Sequence, residues 1–340
     1  MKAAVFYGPN QPLKVEEVPI PEISSGEILV KVAACGLCHT DLHYIDHGVP
    51  TFKKPPLILG HEISGIVDKI SPDVTGFNVG DRVLLPAVMS CGVCDNCREG
   101  RGNICDHMVM PGNDVDGGYA EYIKAPANNV FHLPEEIPLI EGAIIADAIT
   151  TPYHAVKNRG KVRPGDNVVV YGCGGVGLNL VQVANAAGAS VIAVDVAENK
   201  LAKAKELGAV AVINGQDTDV AKAVRKLTRR GGADIAFECI GNPKTMELAF
   251  KTVRNGGRFV IVGYTEHSMT LNASRVMYRE MEVVGSLGCP LSEYPSVIEM
   301  ARTGKIQVAS MVSKRFSLDQ INEGFDFLRS GQGFRSVIVP

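Results

Sequence analysis

Thiol, imidazole, carboxylate and hydroxyl side chains are concentrated in one stretch, Cys35 to Glu62, which is CGLCHTDLHYIDHGVPTFKKPPLILGHE. We expect this stretch to be a polar loop between apolar strands. Within it, Cys38 and His61 are a soft and a borderline ligand of the kind that zinc binds. Zinc held by a few protein ligands is a Lewis acid that lowers the pKa of a bound hydroxyl into the working range. A third ligand has to come from elsewhere in the chain.

Four more cysteines form a compact group with the spacing Cys91-x2-Cys94-x2-Cys97-x7-Cys105. Four thiolates at such spacing close a tetrahedral metal site on a loop, and they leave no position open for a substrate. We therefore predict a structural metal site at about residues 91–105. An iron–sulfur cluster also takes four thiolates, and the spacing alone does not exclude iron. The lack of basic residues around these cysteines argues against a nucleic-acid-binding zinc ribbon.

A glycine-rich loop follows the apolar run Val168–Tyr171, and its sequence is Gly172-Cys173-Gly174-Gly175-Val176-Gly177. In this pattern Gly172 permits a tight turn, Gly174 lets the backbone approach a pyrophosphate, and Gly177 permits close packing of a helix on a strand. Asp195 ends the next predicted strand, 23 residues after Gly172. A carboxylate there accepts hydrogen bonds from both ribose hydroxyls and repels a 2′-phosphate, so we predict NAD over NADP. Lys200, further along, is a second candidate for the ribose.

The elements around these motifs change character along the chain. Residues 1 to about 35 form a run of short strands without helices, which indicates a small β barrel. Further strands are predicted at Ile63–Ile70, Arg82–Leu85, Tyr119–Lys124 and Asn129–Leu133. Apolar residues recur at helical spacing from Ile137 through Ala155. Six strands then alternate with helices, which predicts a doubly wound parallel sheet. We place these strands at Val168–Tyr171, Val191–Asp195, Ala211–Ile213, Ile235–Cys239, Arg258–Gly263 and Glu282–Ser286. The tail has two helical stretches and a last strand, and we expect it to return to the first domain.

Composition limits the classes of function. The chain has 340 residues, enough for two domains, with 46% hydrophobic residues and a net charge of -3. No basic block is present, which argues against nucleic acid and anionic membranes as partners. Because no apolar run has the length of a signal peptide core or a membrane span, we expect a soluble cytoplasmic protein. Clustered cysteines in such a chain favour metal binding over disulfides.

The segments CGLCHTDLH, GHEISG, the four-cysteine group and GDNVVVYGCGGVG occur in an order that resembles the zinc-dependent medium-chain dehydrogenase/reductase family, the alcohol dehydrogenases. The resemblance covers nearly the whole chain. It implies that Cys38 and His61 bind a catalytic zinc, and that the third ligand is Asp147, where many members have cysteine. Carboxylate oxygen is an acceptable zinc ligand. The resemblance also implies that Glu62 can approach the metal and assist exchange of its water.

The same resemblance assigns roles to the residues after Cys38. Thr40 and His43 correspond to a proton relay, in which the threonine hydroxyl takes the alcohol proton and passes it through the nicotinamide ribose to the histidine and then to solvent. Asp41 corresponds to a carboxylate that orients His61. The other histidines, including His47, have no motif context, and we interpret them as ordinary polar or packing residues.

Three further residues are implied to bind the cofactor. His39 stands where other members often have arginine near the pyrophosphate. Arg335 corresponds to a basic residue close to the cofactor phosphates and to Glu62. Val262 lies at the end of a late sheet strand, where backbone groups can hold the nicotinamide carboxamide.

Together these features predict an α/β protein with a GroES-like β-rich catalytic domain, 1–148 and 288–340, and a doubly wound Rossmann domain, 149–287. The expected activity is reversible hydride transfer between a small alcohol and NAD, giving a ketone or an aldehyde, with one catalytic and one structural zinc per chain. Two alternatives stay open: a dehydrogenase of the 6-hydroxycyclohex-1-ene-1-carbonyl-CoA type, and a non-catalytic protein that binds NAD and zinc. The resemblance also implies a homotetramer or a homodimer.

Overall fold

The structure is a computed structural model that describes all 340 residues. The chain forms two compact units, Met1–Thr150 together with Gly288–Pro340, and Thr151–Leu287. No helix in it is long and apolar enough to cross a membrane.

The secondary structure consists of sixteen strands and ten α-helices, with short 3-10 helices and one π-helix, Ala155–Gly160, between them. The strands are β1 (Lys2–Phe6), β2 (Lys14–Glu17), β3 (Glu27–Gly36), β4 (Leu57–Ile58), β5 (Glu62–Ile70), β6 (Arg82–Leu85), β7 (Tyr122–Pro126), β8 (Phe131–His132), β9 (Asn167–Tyr171), β10 (Ser190–Asp195), β11 (Ala211–Asn214), β12 (Ala233–Glu238), β13 (Val253–Ile261), β14 (Glu282–Gly285), β15 (Val312–Ser317) and β16 (Arg335–Val339). The helices are α1 (His39–Ile45), α2 (Asp95–Arg98), α3 (Thr150–His154), α4 (Gly175–Ala186), α5 (Glu198–Glu206), α6 (Val220–Leu227), α7 (Pro243–Thr252), α8 (Ala273–Tyr278), α9 (Tyr294–Arg302) and α10 (Ile321–Arg329).

The first unit is built on β structure, as predicted. Its larger sheet has the order β15-β16-β3-β5-β6-β8, with β7 also paired to β3, and a smaller sheet has the order β2-β1-β4. All pairs are antiparallel except β15 with β16. The core contains alternate residues of β3, such as Ile28, Val30 and Val32, which are buried because successive side chains on a strand point to opposite faces. The tail contributes β16, whose Val337 and Ile338 pair with the end of β3.

The second unit is a six-stranded parallel sheet with the order β11-β10-β9-β12-β13-β14. This order is that of a doubly wound dinucleotide-binding fold. All six predicted strands are confirmed, with ends shifted by a few residues. The central strand β9 has a run of three buried valines, which is typical of a strand covered on both faces.

Two local predictions about the site region are wrong. The stretch after Cys35 is not simply a polar loop, because it contains the seven-residue helix α1, which buries Leu42, Tyr44 and Ile45. A helix of two turns is too short for a clear hydrophobic period. The apolar stretch before the second unit is not one helix either. It consists of a 3-10 helix, Glu141–Ala146, a turn, and then α3. Asp147 lies in the turn.

Candidate active site

The pairing of β3 with β5 brings the two sequence-distant parts of the site together. Gly36 is paired with Glu62 at the ends of these strands, so Cys38 follows one strand and His61 directly precedes the other. Both side chains are buried, and His61 is only 1% exposed. A strand pair fixes such positions better than a mobile loop does, since its register is set by the buried side chains on each strand.

Asp147 completes a cluster of possible metal ligands. Its Oδ2 lies 3.8 Å from Nε2 of His61 and 4.0 Å from Sγ of Cys38. The possible ligand atoms of Cys38, His61, Glu62 and Asp147 all lie within 4.8 Å of one another. Ligand atoms around one tetrahedral zinc ion are separated by about 3.4–3.6 Å, given zinc bonds of about 2.0–2.3 Å. The three side chains therefore fit zinc after a small contraction.

Glu62 and Arg335 form a buried ion pair beside this cluster. The Arg335 guanidinium donates from Nε to Oε2 of Glu62 at 3.0 Å, and its Nη2 donates to Oε1. Nη2 also lies 3.9 Å from Oδ2 of Asp147. Gly36 makes room for the pair, because a Cβ at that position would overlap the Glu62 carboxylate. The structure thus places Arg335 at the metal cluster, where it compensates two carboxylates.

Asp41 lies behind His61 and is fully buried. Its Oδ1 is 3.7 Å from Nδ1 of His61, and its Oδ2 accepts hydrogen bonds from the Tyr119 hydroxyl at 2.8 Å and the Cys38 amide at 3.3 Å. Burial raises the pKa of Asp41 although His61 and Tyr119 act in the opposite direction. Tyr119 has no motif context in the sequence and is brought to Asp41 only by the fold.

The charges around the cluster favour a cation. Burial alone would raise the pKa of the Cys38 thiol, but the positive charges of Arg335 and His61 lower it. Burial alone would lower the pKa of His61, yet the negative Cys38 and Asp41 outweigh it and raise the pKa well above its usual value. The thiolate is the form of cysteine that binds metal. The donor set therefore suits Zn²⁺ in both atom type and charge.

Helix α1 carries the three polar residues that follow Cys38. Thr40 is half-buried, and its Oγ1 accepts from Sγ of Cys38 at 3.6 Å. His43 is also half-buried and lies one helical turn further on, which places it on the same face of the helix. His39 is the first residue of the helix and is exposed.

The four-cysteine group forms a second, separate cluster. Its Sγ atoms are 3.4 Å apart for Cys94 and Cys97, 3.4 Å for Cys91 and Cys105, and 3.7 Å for Cys94 and Cys105. Sulfurs around one tetrahedral zinc are about 3.8 Å apart. The amides of Val93 and Cys94 lower the pKa of Cys91 to about 6. Burial and the hydrogen bonds to Cys94 and Cys105 raise the pKa of Cys97 to about 12, so this thiol keeps its proton near neutral pH. All four cysteines can therefore be thiolates only when a cation balances their charge.

The glycine loop connects β9 to the first turn of α4 in the second unit. Gly172 has φ +92°, a left-handed conformation that favours glycine. A Cβ at Gly177 would overlap the carbonyl of Gly172. A Cβ at Gly174 would meet nothing within 4 Å, so this part of the loop is open to an approaching group. The last residues of the loop, Gly175, Val176 and Gly177, open helix α4, and the amides of a first helical turn have no intrahelical partner and suit a pyrophosphate.

Asp195 ends β10 beside this loop. Its Oδ2 accepts the amide of Cys173 at 2.7 Å, and its Oδ1 accepts the amides of Val196 at 2.8 Å and Ala197 at 3.0 Å. These bonds fix the carboxylate while Oδ2 keeps acceptor capacity for a ribose hydroxyl. Lys200 lies on α5, near enough to act electrostatically on the Cys173 thiol. Val262 follows β13 and donates its amide to the carbonyl of Glu238 at 2.9 Å.

Two family models match this chain. Residues 24–135 match the model of the alcohol dehydrogenase GroES-like domain, and residues 175–303 match that of the zinc-binding dehydrogenases. An alcohol dehydrogenase of Geobacillus stearothermophilus is 38% identical over 98% of this chain and 97% of its own length. The chain belongs to the zinc-dependent medium-chain dehydrogenase/reductase family. A sorbitol dehydrogenase of Bacillus subtilis (strain 168) is 34% identical over 96% of this chain and 93% of its own length.

The family fold is also found among solved structures. The alcohol dehydrogenase of the hyperthermophilic archaeon Aeropyrum pernix has a TM-score of 0.93 and 34% identity, with 100% of both chains covered. As a medium-chain dehydrogenase/reductase, the chain is an oxidoreductase with the chemistry of a zinc- and NAD-dependent alcohol dehydrogenase. The relatives favour this activity over both the hydroxyacyl-CoA dehydrogenase and the non-catalytic alternative.

Proposed function

We propose that this chain oxidises small alcohols reversibly to ketones or aldehydes, with Cys38, His61 and Asp147 as the ligands of the catalytic zinc. The observation that carries the proposal is the meeting of one thiol, one imidazole and one carboxylate within 4.8 Å. The unit Met1–Thr150 with Gly288–Pro340 would be the catalytic domain, and Thr151–Leu287 would be the NAD-binding domain.

When bound, zinc supplies a Lewis acid for the alcohol oxygen and NAD supplies the hydride acceptor. The chain's own residues hold these groups and move the proton. Thr40 takes the alcohol proton, since its hydroxyl is next to Cys38 and is both a donor and an acceptor. His43, on the same face of α1, passes the proton on, because imidazole titrates near neutral pH. Asp41, whose Oδ1 lies 3.7 Å from Nδ1 of His61, would orient the imidazole ring.

We further propose that the Cys91, Cys94, Cys97 and Cys105 group holds a structural zinc. Its four thiols use every tetrahedral position, so the cluster has no place for substrate. Glu62 would assist exchange of the water on the catalytic metal. Its carboxylate is paired with the Arg335 guanidinium in the structure.

For the cofactor we propose NAD in preference to NADP. Asp195 carries a fixed negative charge at the end of β10, where a 2′-phosphate would be repelled. The loop from Gly172 to Gly177 would hold the pyrophosphate. On the family resemblance, we also propose four further cofactor contacts, which are Lys200, His39, Val262 and Arg335.

The first experiment measures zinc content and NADH formation in the parent and in Cys38→Ser. We expect the variant to lose one of two zincs and to lose at least 10³-fold in turnover, because serine is a poor zinc ligand. Cys35→Ala is the matched control, since Cys35 is a buried thiol three residues away that lies outside both clusters. A Cys38→Ser protein that keeps two zincs and the parent turnover would contradict the assignment.

The substrate is best approached with a panel of short primary, short secondary and cyclic alcohols and polyols, together with an alicyclic hydroxyacyl-CoA. The relatives include an alcohol and a sorbitol dehydrogenase, which supports testing both simple alcohols and polyols. We also propose a homodimer or homotetramer, on the family resemblance, which sedimentation would measure. We propose a cytoplasmic location because the four cysteines of the structural cluster must stay unoxidised to bind metal.

A further inference from the structure

His47 lies directly against His43, the last residue of the proposed proton relay. The two Nδ1 atoms are 3.1 Å apart, and the ring centroids are separated by 5.3 Å at an angle of 45°. Helix α1 ends at Ile45, and Gly48 then turns the chain with φ +71°. The amide of Val49 bonds to the carbonyl of His43 at 3.1 Å, which closes the turn. The backbone thus returns His47 to the ring of His43.

The two rings differ in their access to water. His43 is half-buried, whereas His47 is exposed. At 3.1 Å two Nδ1–H groups cannot point at each other, so one ring donates and the other accepts. The hydrogen bond therefore carries one proton between a half-buried imidazole and one in contact with solvent.

We propose that His47 is the outlet through which the proton released in alcohol oxidation leaves His43 for solvent. When His43 gains a proton on one ring nitrogen, it gives up the proton on Nδ1 to Nδ1 of His47. His47 then releases the proton on its Nε2 to water or to a buffer base. One N–H bond forms and one breaks at each ring, and the two histidines exchange tautomers. The reverse sequence delivers a proton for ketone reduction.

The surrounding charges suit this role. Asp46 precedes His47, and Arg329 of α10 donates Nη2 to Oδ1 of Asp46 at 2.7 Å and Nε to Oδ2 at 2.8 Å. Asp326 pairs with the same arginine at 2.7 Å. The hydrogen bond from Arg329 lowers the pKa of Asp46, which keeps its carboxylate ionised next to the proton-carrying ring. The charged groups next to His47 thus include the ionised carboxylate of Asp46, which Arg329 holds in place.

His47 acts through His43 and touches no reacting atom, so it is a positioning residue for the proton and not a catalytic one. This inference rests on the proposed function. The signal in the sequence is the pair of histidines four residues apart, which the interpretation of His47 as an ordinary polar residue did not use.

The test compares His47→Gln with His47→Ala in the zinc-loaded enzyme. Glutamine keeps a hydrogen-bond partner for His43 but cannot relay a proton, so it separates proton transfer from simple support. We expect both variants to lose roughly fivefold in kcat for alcohol oxidation at pH 6–7 in a dilute buffer. The loss is smaller than the 10²–10⁴-fold of a direct general base because water also reaches the half-buried His43. Added imidazole should restore most of the rate in His47→Ala, and the KM for NAD should not change.

His132→Gln is the control. His132 is an exposed histidine that bonds to the carbonyl of Gly76 at 2.9 Å, a contact the glutamine amide can keep. It should show the parent pH profile with and without imidazole. A His47→Gln enzyme with the parent kcat and pH profile would overturn the proposal, as would a His47→Ala enzyme whose loss imidazole does not relieve. If the parent itself shows no zinc-dependent alcohol oxidation, the proposed function fails first.

Discussion

Replacing Arg335 with methionine would leave the Glu62 carboxylate buried without its counter-ion. The two side chains are 3% and 0% exposed, and they are joined by two hydrogen bonds. Removing one partner of such a pair costs about 3–5 kcal/mol of unfolding free energy, because the remaining charge stays desolvated. For a unit of this size, that change corresponds to a fall of about 6–20 °C in its Tm.

The assay is urea denaturation of the zinc-loaded protein, followed by circular dichroism because the chain has no tryptophan. Zinc release, measured with a chromogenic indicator, marks the transition of the unit that holds both metal clusters. The double variant Arg335→Met with Glu62→Gln should recover about half of the loss, since a neutral amide of the same shape costs about 1–3 kcal/mol to bury.

The comparison has a clear negative outcome. If the unfolding free energy of Arg335→Met lies within about 1 kcal/mol of the parent value, the Glu62 carboxylate must find another partner or water. That result would refute the assignment of a buried pair whose charges depend on each other. A double variant as unstable as the single one would show that lost packing of the arginine stem, and not charge, sets the cost.

Three further predictions concern the remaining parts of the molecule. Asp195→Gly should raise the ratio of kcat/KM with NADP to that with NAD by at least tenfold, because the repulsion of a 2′-phosphate is removed; an unchanged ratio would refute its role. Cys94→Ser should lose one zinc per chain and have a lower Tm, while the turnover of the enzyme that remains folded is affected less. A variant that folds normally with one zinc would show the cluster to be dispensable. Asp234→Asn should destabilise the second unit by about 2 kcal/mol at pH 7, because Asp234 accepts from the Asn167 amide at 2.8 Å and from Arg254 at 2.6 Å. Burial would raise the pKa of Asp234, but the Asn167 amide and Arg254 outweigh it and lower the pKa. The difference in unfolding free energy between parent and variant should therefore have its full size above the unfolded pKa of about 3.9, and it should shrink as the pH falls through the lower folded pKa. A difference that does not depend on pH would contradict this.

The sequence was most informative where chemistry and spacing coincide. The cysteine group, the glycine loop and Asp195 are local patterns, and each lies where its spacing predicts. The six strands of the second unit were found because buried parallel strands have continuous apolar runs. The family resemblance supplied Asp147, which lies within 4.0 Å of Cys38 although 109 residues separate them in the chain.

The residues that were missed depend on contacts that no local pattern carries. Tyr119 lies in the loop before β7 and meets Asp41 of α1 only because the fold brings together residues 78 positions apart in the chain. Helix α1 has seven residues, fewer than a hydrophobic period needs to be distinguished from a loop. The strand β15 was not predicted, because its pattern of buried and exposed residues is irregular and three of its residues in a row are exposed.

The pairing of β16 with β3 has a consequence for biosynthesis. Val337 and Ile338 pair with Gly36 and Cys35, so about 300 residues must be added after β3 before its last partner exists. At about 5–20 residues per second, translation of that interval takes about 15–60 seconds. The segment Thr151–Leu287 is complete before the tail is made, so it can fold on the ribosome while the strand end that leads to Cys38 still lacks its neighbour. A nascent chain that stops before Arg335 therefore lacks both this strand and the guanidinium beside Glu62.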